Sequence, residues 1–326
     1  MSRMGLVADV GGTNVRFALV DIDGGHPAFE SMRKYSTKSH PDIAAAARTY
    51  LSEVNYGGAL AGLVFGVAGP VKNGSIHLTN AGWTISEREL RDALKVQLAR
   101  VVNDFEALGE AIPVFEPQDL HQIGPLPFDP KAEGTVAVVG PGTGLGVGGL
   151  IRREGAMLPL VTEGGHASFA PQDELEVEVL KILWRKAGRV SNERILSGPG
   201  LLNLYGAMAE IEGRPATDST PEIVTQIARE KPDSFEAKVF ARFCAILGSV
   251  AGDVALGMGA RNGVLIGGGI LPGAAEFLAA SDFRKRFEDK ARFKGYMQDI
   301  PTCLIMDSHA GLLGAWAILR LQLSAH

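Results

Sequence analysis

Residues 5–20, GLVADVGGTNVRFALV, decide how the rest of the chain is read. An apolar run meets two glycines, and beyond them Val15, Phe17 and Leu19 alternate with Arg16, Ala18 and Val20. Period-two patterning on the far side of a glycine turn predicts strand, turn, strand, and Asp23-Gly24 supplies the next turn. The pattern recurs at Thr135–Ile151, TVAVVGPGTGLGVGGLI, so Gly12-Thr13 and Gly142-Thr143 hold equivalent places in two apolar hairpins. Strands and helices alternate after each one, which predicts two related α/β domains.

Working outward, helices are expected over about 41–54, over Trp83–Leu98, and at 172–187, 199–211, 235–258 and 273–295. Ser86 and Glu89 have the spacing of a capping box for the second of these. LAGLVFGVAGPV reads as a buried strand, VVND as a strand end entering a helix, and GVLIGGGILPG as a strand running into glycines. The chain closes with a strand, PTCLIM, and a helix, HAGLLGAWAILRLQL. Prolines at 113, 117, 125, 127 and 130 are too dense for a helix or a central strand, so a domain crossing is placed there.

With 326 residues, 46% hydrophobic and 21% charged, the chain is long enough for two domains with real cores. A formal charge of -5 argues against a nucleic-acid partner, which demands a basic surface. The busiest basic run, Arg284, Lys285, Arg286, Lys290, Arg292 and Lys294, is diluted by Glu288 and Asp289 and reads as a solvated helix face. Cys244 and Cys303 each stand alone in apolar sequence, which fits a reducing compartment and neither a zinc knuckle nor a disulfide framework. Asp9 cuts the apolar run after Arg3, so no secretory signal fits. The longest apolar stretch, around Ala61–Val71, falls short of the ~18 residues of a membrane span. A cytoplasmic protein with no membrane partner is expected.

A phosphate needs donors, and successive backbone N–H groups around one concavity supply them where glycine lets the oxygens approach. DVGGTN, with Asp9, Gly11, Gly12, Thr13 and Asn14, and GPGTGLG, with Gly142, Thr143 and Gly144, both suit this. Neither is a Walker loop, because no GK[ST] and no helix follows, and neither is a dinucleotide fingerprint, because the next segment is again strand-like. Strand–turn–strand is the phosphate geometry of actin-like ATPases and sugar kinases. Gly267, Gly268 and Gly269 at a later strand end add a third glycine site. Asp9 breaks an apolar strand, at a cost of several kcal/mol unless it is hydrated, paired or near a cation. A Mg²⁺ held through water beside phosphate oxygens would explain it.

Three acidic positions stand out: Asn103-Asp104 after a strand end, Glu163 and His166 in TEGGH, and Glu193 in SNERILSGPG. Each has a local reading, since Asn103 and Glu106 have capping-box spacing and Ser191 could cap ahead of Glu193. Together they form a candidate sugar site, in which a carboxylate accepts the proton of a hydroxyl as a phosphoryl group arrives. Residue patterns alone therefore reach a nucleotide-binding α/β enzyme with a polar substrate site.

These motifs also resemble a known family. DVGGTN, LTNAGW, VNDFEAL, GPGTGLG, EGGHASFAP, ERILSGPGL, IGGGI and FEDKARF with a GLLGA helix are similar to the bacterial ATP-dependent glucokinases, the zinc-free branch of the hexokinase superfamily. The resemblance implies two actin-like (ribonuclease H-like) α/β domains flanking a cleft, residues 1–114 plus 306–326 forming the smaller and 115–305 the larger. It implies Asp104 as general base for the hexose 6-hydroxyl, and Asn103, Glu163, His166 and Glu193 as sugar ligands. Asp9 and Gly11–Thr13 would form the first phosphate segment, Gly142–Gly144 the second, and Gly267–Gly269 the adenosine segment, with ATP and Mg²⁺ as cofactors and a homodimer as the assembly. Thr162 stands where the family commonly has glycine, which predicts a less permissive loop, and His309 also departs from the pattern. No cysteine-rich motif follows His166, so it is not expected to bind metal. Competing readings are a kinase for fructose, mannose or an N-acetylhexosamine, another phosphoryl donor, a sugar sensor, and an assembly ATPase.

Overall fold

The computed structural model describes residues 3–215 and 219–324. In chain order the first elements are β1 (Met4–Val10), β2 (Asn14–Asp21), β3 (Arg33–Ser36), α1 (Ile43–Glu53), β4 (Leu63–Val67), β5 (Ser75–Leu78), β6 (Trp83–Ser86), α2 (Glu87–Leu94), β7 (Ala99–Asn103) and α3 (Asp104–Ala111). Next come β8 (Leu120–Ile123), β9 (Gly134–Pro141), β10 (Leu145–Arg153), β11 (Ala156–Val161), α4 (Glu174–Ala187), α5 (Gly198–Ile211), α6 (Pro221–Glu230) and α7 (Phe235–Met258). The last are β12 (Gly263–Ile266), α8 (Ala275–Ala280), α9 (Phe283–Glu288), α10 (Lys294–Gln298), β13 (Thr302–Ile305) and α11 (Ala310–Ser324). The chain divides into two compact units, Met1–Phe115 with Pro159–Val161 and Asp307–His326, and Glu116–Leu158 with Thr162–Met306.

In the first unit the sheet runs β3-β2-β1-β4-β7, with β1 antiparallel to β2 and parallel to β4. The six-stranded sheet of the second runs β11-β10-β9-β12-β13-β8, and its first five positions repeat the same plan, a hairpin followed by parallel strands. The two glycine turns therefore occupy the same place in two copies of one topology. Their innermost pairs are Val10 with Val15 and Pro141 with Leu145, so the first turn is one residue longer than the second.

In the first unit Phe17 stacks on Tyr50 and meets Phe65 edge-on, within a core built on one face of the sheet by alternate residues of β1 (Leu6, Ala8, Val10) and β4 (Leu63, Phe65, Val67). Helix α11 lies against α3, β1 and β4, and close packing explains Gly314: a Cβ there would overlap the Ala107 carbonyl. In the second unit α7 is the core helix. At 24 residues and a mean hydropathy of 1.7 it passes the length and composition test for a membrane span, which corrects the expectation drawn from Ala61–Val71. Its most apolar window is 72% buried in protein, and at Gly248 and Gly252 the backbone of α9 approaches closely.

Three local expectations are overturned. Trp83–Ser86 is a strand paired with β5, α2 begins only at Glu87, and the Ser86 side chain makes no capping bond. The segment 273–295 is broken into α8, α9 and α10. Ser281 causes the first break: its hydroxyl donates to Leu278 O (2.7 Å) and accepts from Phe283 N–H (3.1 Å), replacing helical bonds. The basic run is a solvated face only in part: Lys285, Arg292 and Lys294 are exposed, whereas the side chains of Arg284, Arg286 and Lys290 are 12%, 13% and 10% exposed. Arg284 donates to Ile300 O (2.7 Å) and Gln298 O (3.1 Å). Arg286 reaches both oxygens of the fully buried Glu176, at 2.9 and 3.1 Å.

Candidate active site

The first glycine turn is tied down from outside. Thr37 donates its N–H to Thr13 O (2.9 Å) and its hydroxyl to Gly12 O (3.2 Å). A Cβ on Gly12 would come within 3.1 Å of the Asn80 amide, so that residue of LTNAGW walls the turn. Asp9 lies opposite Arg16 in the β1–β2 register, and the guanidinium meets its carboxylate at 2.7 Å. The carboxylate is thus paired and partly exposed, and needs no metal to explain it. Among the described residues no three His, Cys, Asp or Glu side chains gather into a metal site. What remains is a single acid near a glycine turn, a donor set that suits a Mg²⁺ carried by phosphate oxygens and water.

Asn103 caps α3. Its Oδ1 accepts from Phe105 N (2.9 Å) and Glu106 N (3.3 Å), while its Nδ2 donates to Gly69 O (3.0 Å). Asp104 is the first helical residue, and its Oδ1 accepts from Phe105 N (3.0 Å). The helix N-terminus stabilises negative charge there. Further along α3, burial raises the carboxyl pKa of Glu106 and Glu110, and Glu110 Oε2 is buried with no hydrogen-bond partner among the described residues.

In the second unit Glu163, His166 and Glu193 converge. His166 Nε2 lies 3.9 Å from Glu163 Oε2, and its Nδ1 lies 3.9 Å from Glu193 Oε1. The sequence Glu-Gly-Gly-His makes this possible through a short 3-10 turn, Gly164–His166, pressed onto β10. A Cβ on Gly165 would collide with the Leu145 carbonyl, and one on Gly164 would lie 2.9 Å from Val147 Cγ1. Thr162, the departure from the family pattern, fastens the turn: its hydroxyl donates to Val147 O (2.7 Å) and accepts from Gly164 N–H (3.1 Å). Arg189 donates to His166 O (2.7 Å) from the other side. His309, the second departure, sits elsewhere, 3.3 Å from Asp307 Oδ1 and against the Phe29 ring.

The second glycine turn closes on itself through Gly142 N–H to Gly144 O (2.8 Å). It borders a cavity of about 710 Å³ lined by Gly142, Thr143, Gly269 and Ile270, by Gly198 and Pro199 at the start of α5, and by Pro221, Glu222, Thr225, Gln226 and Arg229 of α6. That volume is in the range of small-molecule and cofactor sites. Gly268 has φ +89°, and any side chain there would strike Pro141, so the third glycine segment folds tightly over the end of β9. The α6 wall escaped sequence reading altogether. Its helix is amphipathic and short, with Thr220 as N-cap and a proline in its first turn, signals that locate a helix but not a pocket wall.

A family model described as Glucokinase matches residues 6–322. Glucokinase of Caulobacter sp. (strain K31) is 45% identical over 312 residues, covering 96% of this chain and 94% of that protein. Glucokinase of Caulobacter vibrioides is 47% identical over 314 residues, with coverage of 96% and 94%. Among solved structures, glucokinase from an Antarctic psychrotroph superposes with a TM-score of 0.85 at 34% identity, covering 98% of this chain and all of that one. Glucokinase from Balamuthia mandrillaris in complex with glucose shares the fold, with a TM-score of 0.76 at 19% identity and coverage of 98% and 94%. With duplicated actin-like sheets, paired glycine hairpins and close relatives over nearly its full length, the chain belongs to the glucokinase family.

Proposed function

We infer that the chain transfers the γ-phosphoryl group of ATP to the 6-hydroxyl of glucose, giving glucose 6-phosphate and ADP. The observation that carries this reading is the join within the second unit between a polar cluster and a phosphate turn. Glu193 takes part in the Glu163–His166–Glu193 group, and its Oε2 accepts the Leu145 N–H at the edge of the turn (3.0 Å). A hydroxyl-rich acceptor and a nucleotide are the ligands that such neighbouring sites suit.

Asp104 is assigned the role of general base, accepting the 6-hydroxyl proton as the phosphoryl group arrives. Its place at a capped helix start, with Oδ1 accepting Phe105 N–H, fixes the carboxylate. Asn103, Glu163, His166 and Glu193 hold ring hydroxyls, and a sugar lacking one of those hydroxyls leaves a site group unpaired. Gly11 and Gly142 close the two turns by donating to Asn14 O and Gly144 O, leaving the backbone of Gly12–Asn14 and Thr143–Gly144 to offer donors to phosphate oxygens, while Gly267–Gly269 and α6 enclose the adenosine. Asp9 would face a Mg²⁺ through water, and the ion supplies charge neutralisation on the phosphates. Arg16, bonded to Asp9, adds a protein cation near the first turn.

Formation of sugar phosphate from glucose, fructose, mannose and N-acetylglucosamine, with ATP, ADP and polyphosphate as donors, and ADP release in the ATP arm, test the reading. Fast release with glucose and ATP, and little with water as acceptor, is the expected result. Release independent of sugar would remove the kinase assignment.

A further inference from the structure

We propose that the segment Glu193–Gly198 couples the two substrates, with Glu193 acting as a positioning residue for the second phosphate turn as well as a ligand for the sugar. The proposal rests on the reading of Glu193 as a sugar ligand and extends it.

The turn Gly142–Gly144 is anchored at both ends by this one segment. Gly198 donates its N–H to Gly142 O (2.8 Å), and Glu193 Oε2 accepts the N–H of Leu145 (3.0 Å). The segment itself has little freedom. Ile195 and Leu196 are fully buried, and Ser197 Oγ both donates to Glu193 O (2.8 Å) and accepts Gly200 N–H (2.9 Å) at the start of α5. Gly198 also lines the nucleotide-sized cavity. A shift at Glu193 is therefore passed to the turn rather than absorbed.

The two carboxylate oxygens of Glu193 have separate tasks. Oε2 is bound to the turn, and Oε1 lies 3.9 Å from His166 Nδ1, leaving it to accept a sugar hydroxyl. A sugar bound at Oε1 fixes the carboxylate rotamer and so holds the acceptor for Leu145 in place. The phosphate turn is then ordered before the nucleotide arrives. By linkage, glucose tightens nucleotide binding and nucleotide tightens glucose binding by the same factor, about five- to tenfold for one well-made hydrogen bond. Water in the sugar site gives no such ordering, which restrains wasteful ATP hydrolysis.

Gly144→Ala probes the link from the nucleotide side. Its Cβ would lie 2.5 Å from Glu193 Oε2, the mobile end of a side chain, so the carboxylate is displaced while the backbone keeps its path. The experiment measures Kd for glucose and for ADP, each alone and with the other at saturation, in the full chain and in Gly144→Ala, Glu193→Ala, Glu193→Gln and the Gly144→Ala/Glu193→Ala double variant. Gly144→Ala is expected to weaken glucose binding without nucleotide by fivefold or more, and to have less than a twofold effect once Glu193 is alanine. Glu193→Ala is expected to abolish the mutual tightening, and Glu193→Gln, which keeps an acceptor for Leu145, to retain it while binding glucose less well. Glucose affinity unchanged in Glu193→Ala would overturn the sugar-ligand reading and this proposal with it. Weakened glucose binding in Glu193→Ala, combined with an undiminished Gly144→Ala effect or intact mutual tightening, would overturn the coupling alone. Should Gly144→Ala fail to fold, the mutual tightening in the two Glu193 variants decides.

Discussion

Gly165→Ala tests whether the polar cluster is positioned by packing beneath it. A methyl at this position would sit on the Leu145 carbonyl oxygen, with Leu145 C and Cβ at 3.0 and 3.1 Å. Both neighbours belong to a strand held in register against β9, so the 3-10 turn has to retreat from β10 by about 1 Å, a displacement of the size that costs catalysis about 100-fold. The adjacent residue is His166, whose ring stands 3.9 Å from a carboxylate on each side. The loss in kcat/KM for glucose corresponds to about 2.7 kcal/mol of transition-state stabilisation. Overpacking should also lower stability by about 1–3 kcal/mol. Steady-state glucose titrations of the purified variant, with a thermal melt to establish that it is folded, read both effects. A folded variant with kcat and glucose KM within twofold of the native chain would refute the claim that this contact places His166.

Other outcomes follow from groups outside the site. Arg286→Met leaves the fully buried Glu176 with Arg242 as its remaining close cation, and a stability loss of about 3–5 kcal/mol is expected in chemical denaturation. A loss below 1 kcal/mol would mean that Glu176 is hydrated or neutral. Glu110→Met removes a buried carboxyl with an unmet oxygen, a group worth about 1–3 kcal/mol when unsatisfied, and should raise the melting temperature at pH 7. Burial raises the folded pKa of Glu110, so its contribution is most favourable below the unfolded value of about 4.3 and is lost as pH rises through the folded one. The advantage of the variant should therefore shrink toward pH 4, and an advantage independent of pH would contradict this assignment.

The sequence exposed the two hairpins because alternation and glycine coincide there, and it exposed α4, α5, α7 and α11 because their apolar positions recur at helical spacing. The short strands were hidden. β3 is RKYS with three exposed residues, so no buried face marks it, and β6 runs directly into a helix whose signal masked it. The basic run at 284–294 misled because composition cannot show that Arg286 points at Glu176, more than a hundred residues away. Asp9 stands out in an apolar strand, and its partner is legible too. Asp9 and Arg16 lie one step outside the innermost Val10–Val15 pair, so a hairpin places them opposite each other. The convergence of Glu163 and His166 with Glu193 was not legible, since it depends on where β10 and the turn before α5 meet in space.

Turnover of Asp104→Asn with saturating glucose and MgATP tests the central claim most directly. Asparagine retains an oxygen to accept Phe105 N–H at the start of α3, so the fold should survive while proton acceptance is lost. A kcat lowered by about 100-fold or more, with an unchanged melting temperature, is the result this account requires. A folded variant that phosphorylates glucose at close to the native rate would contradict it.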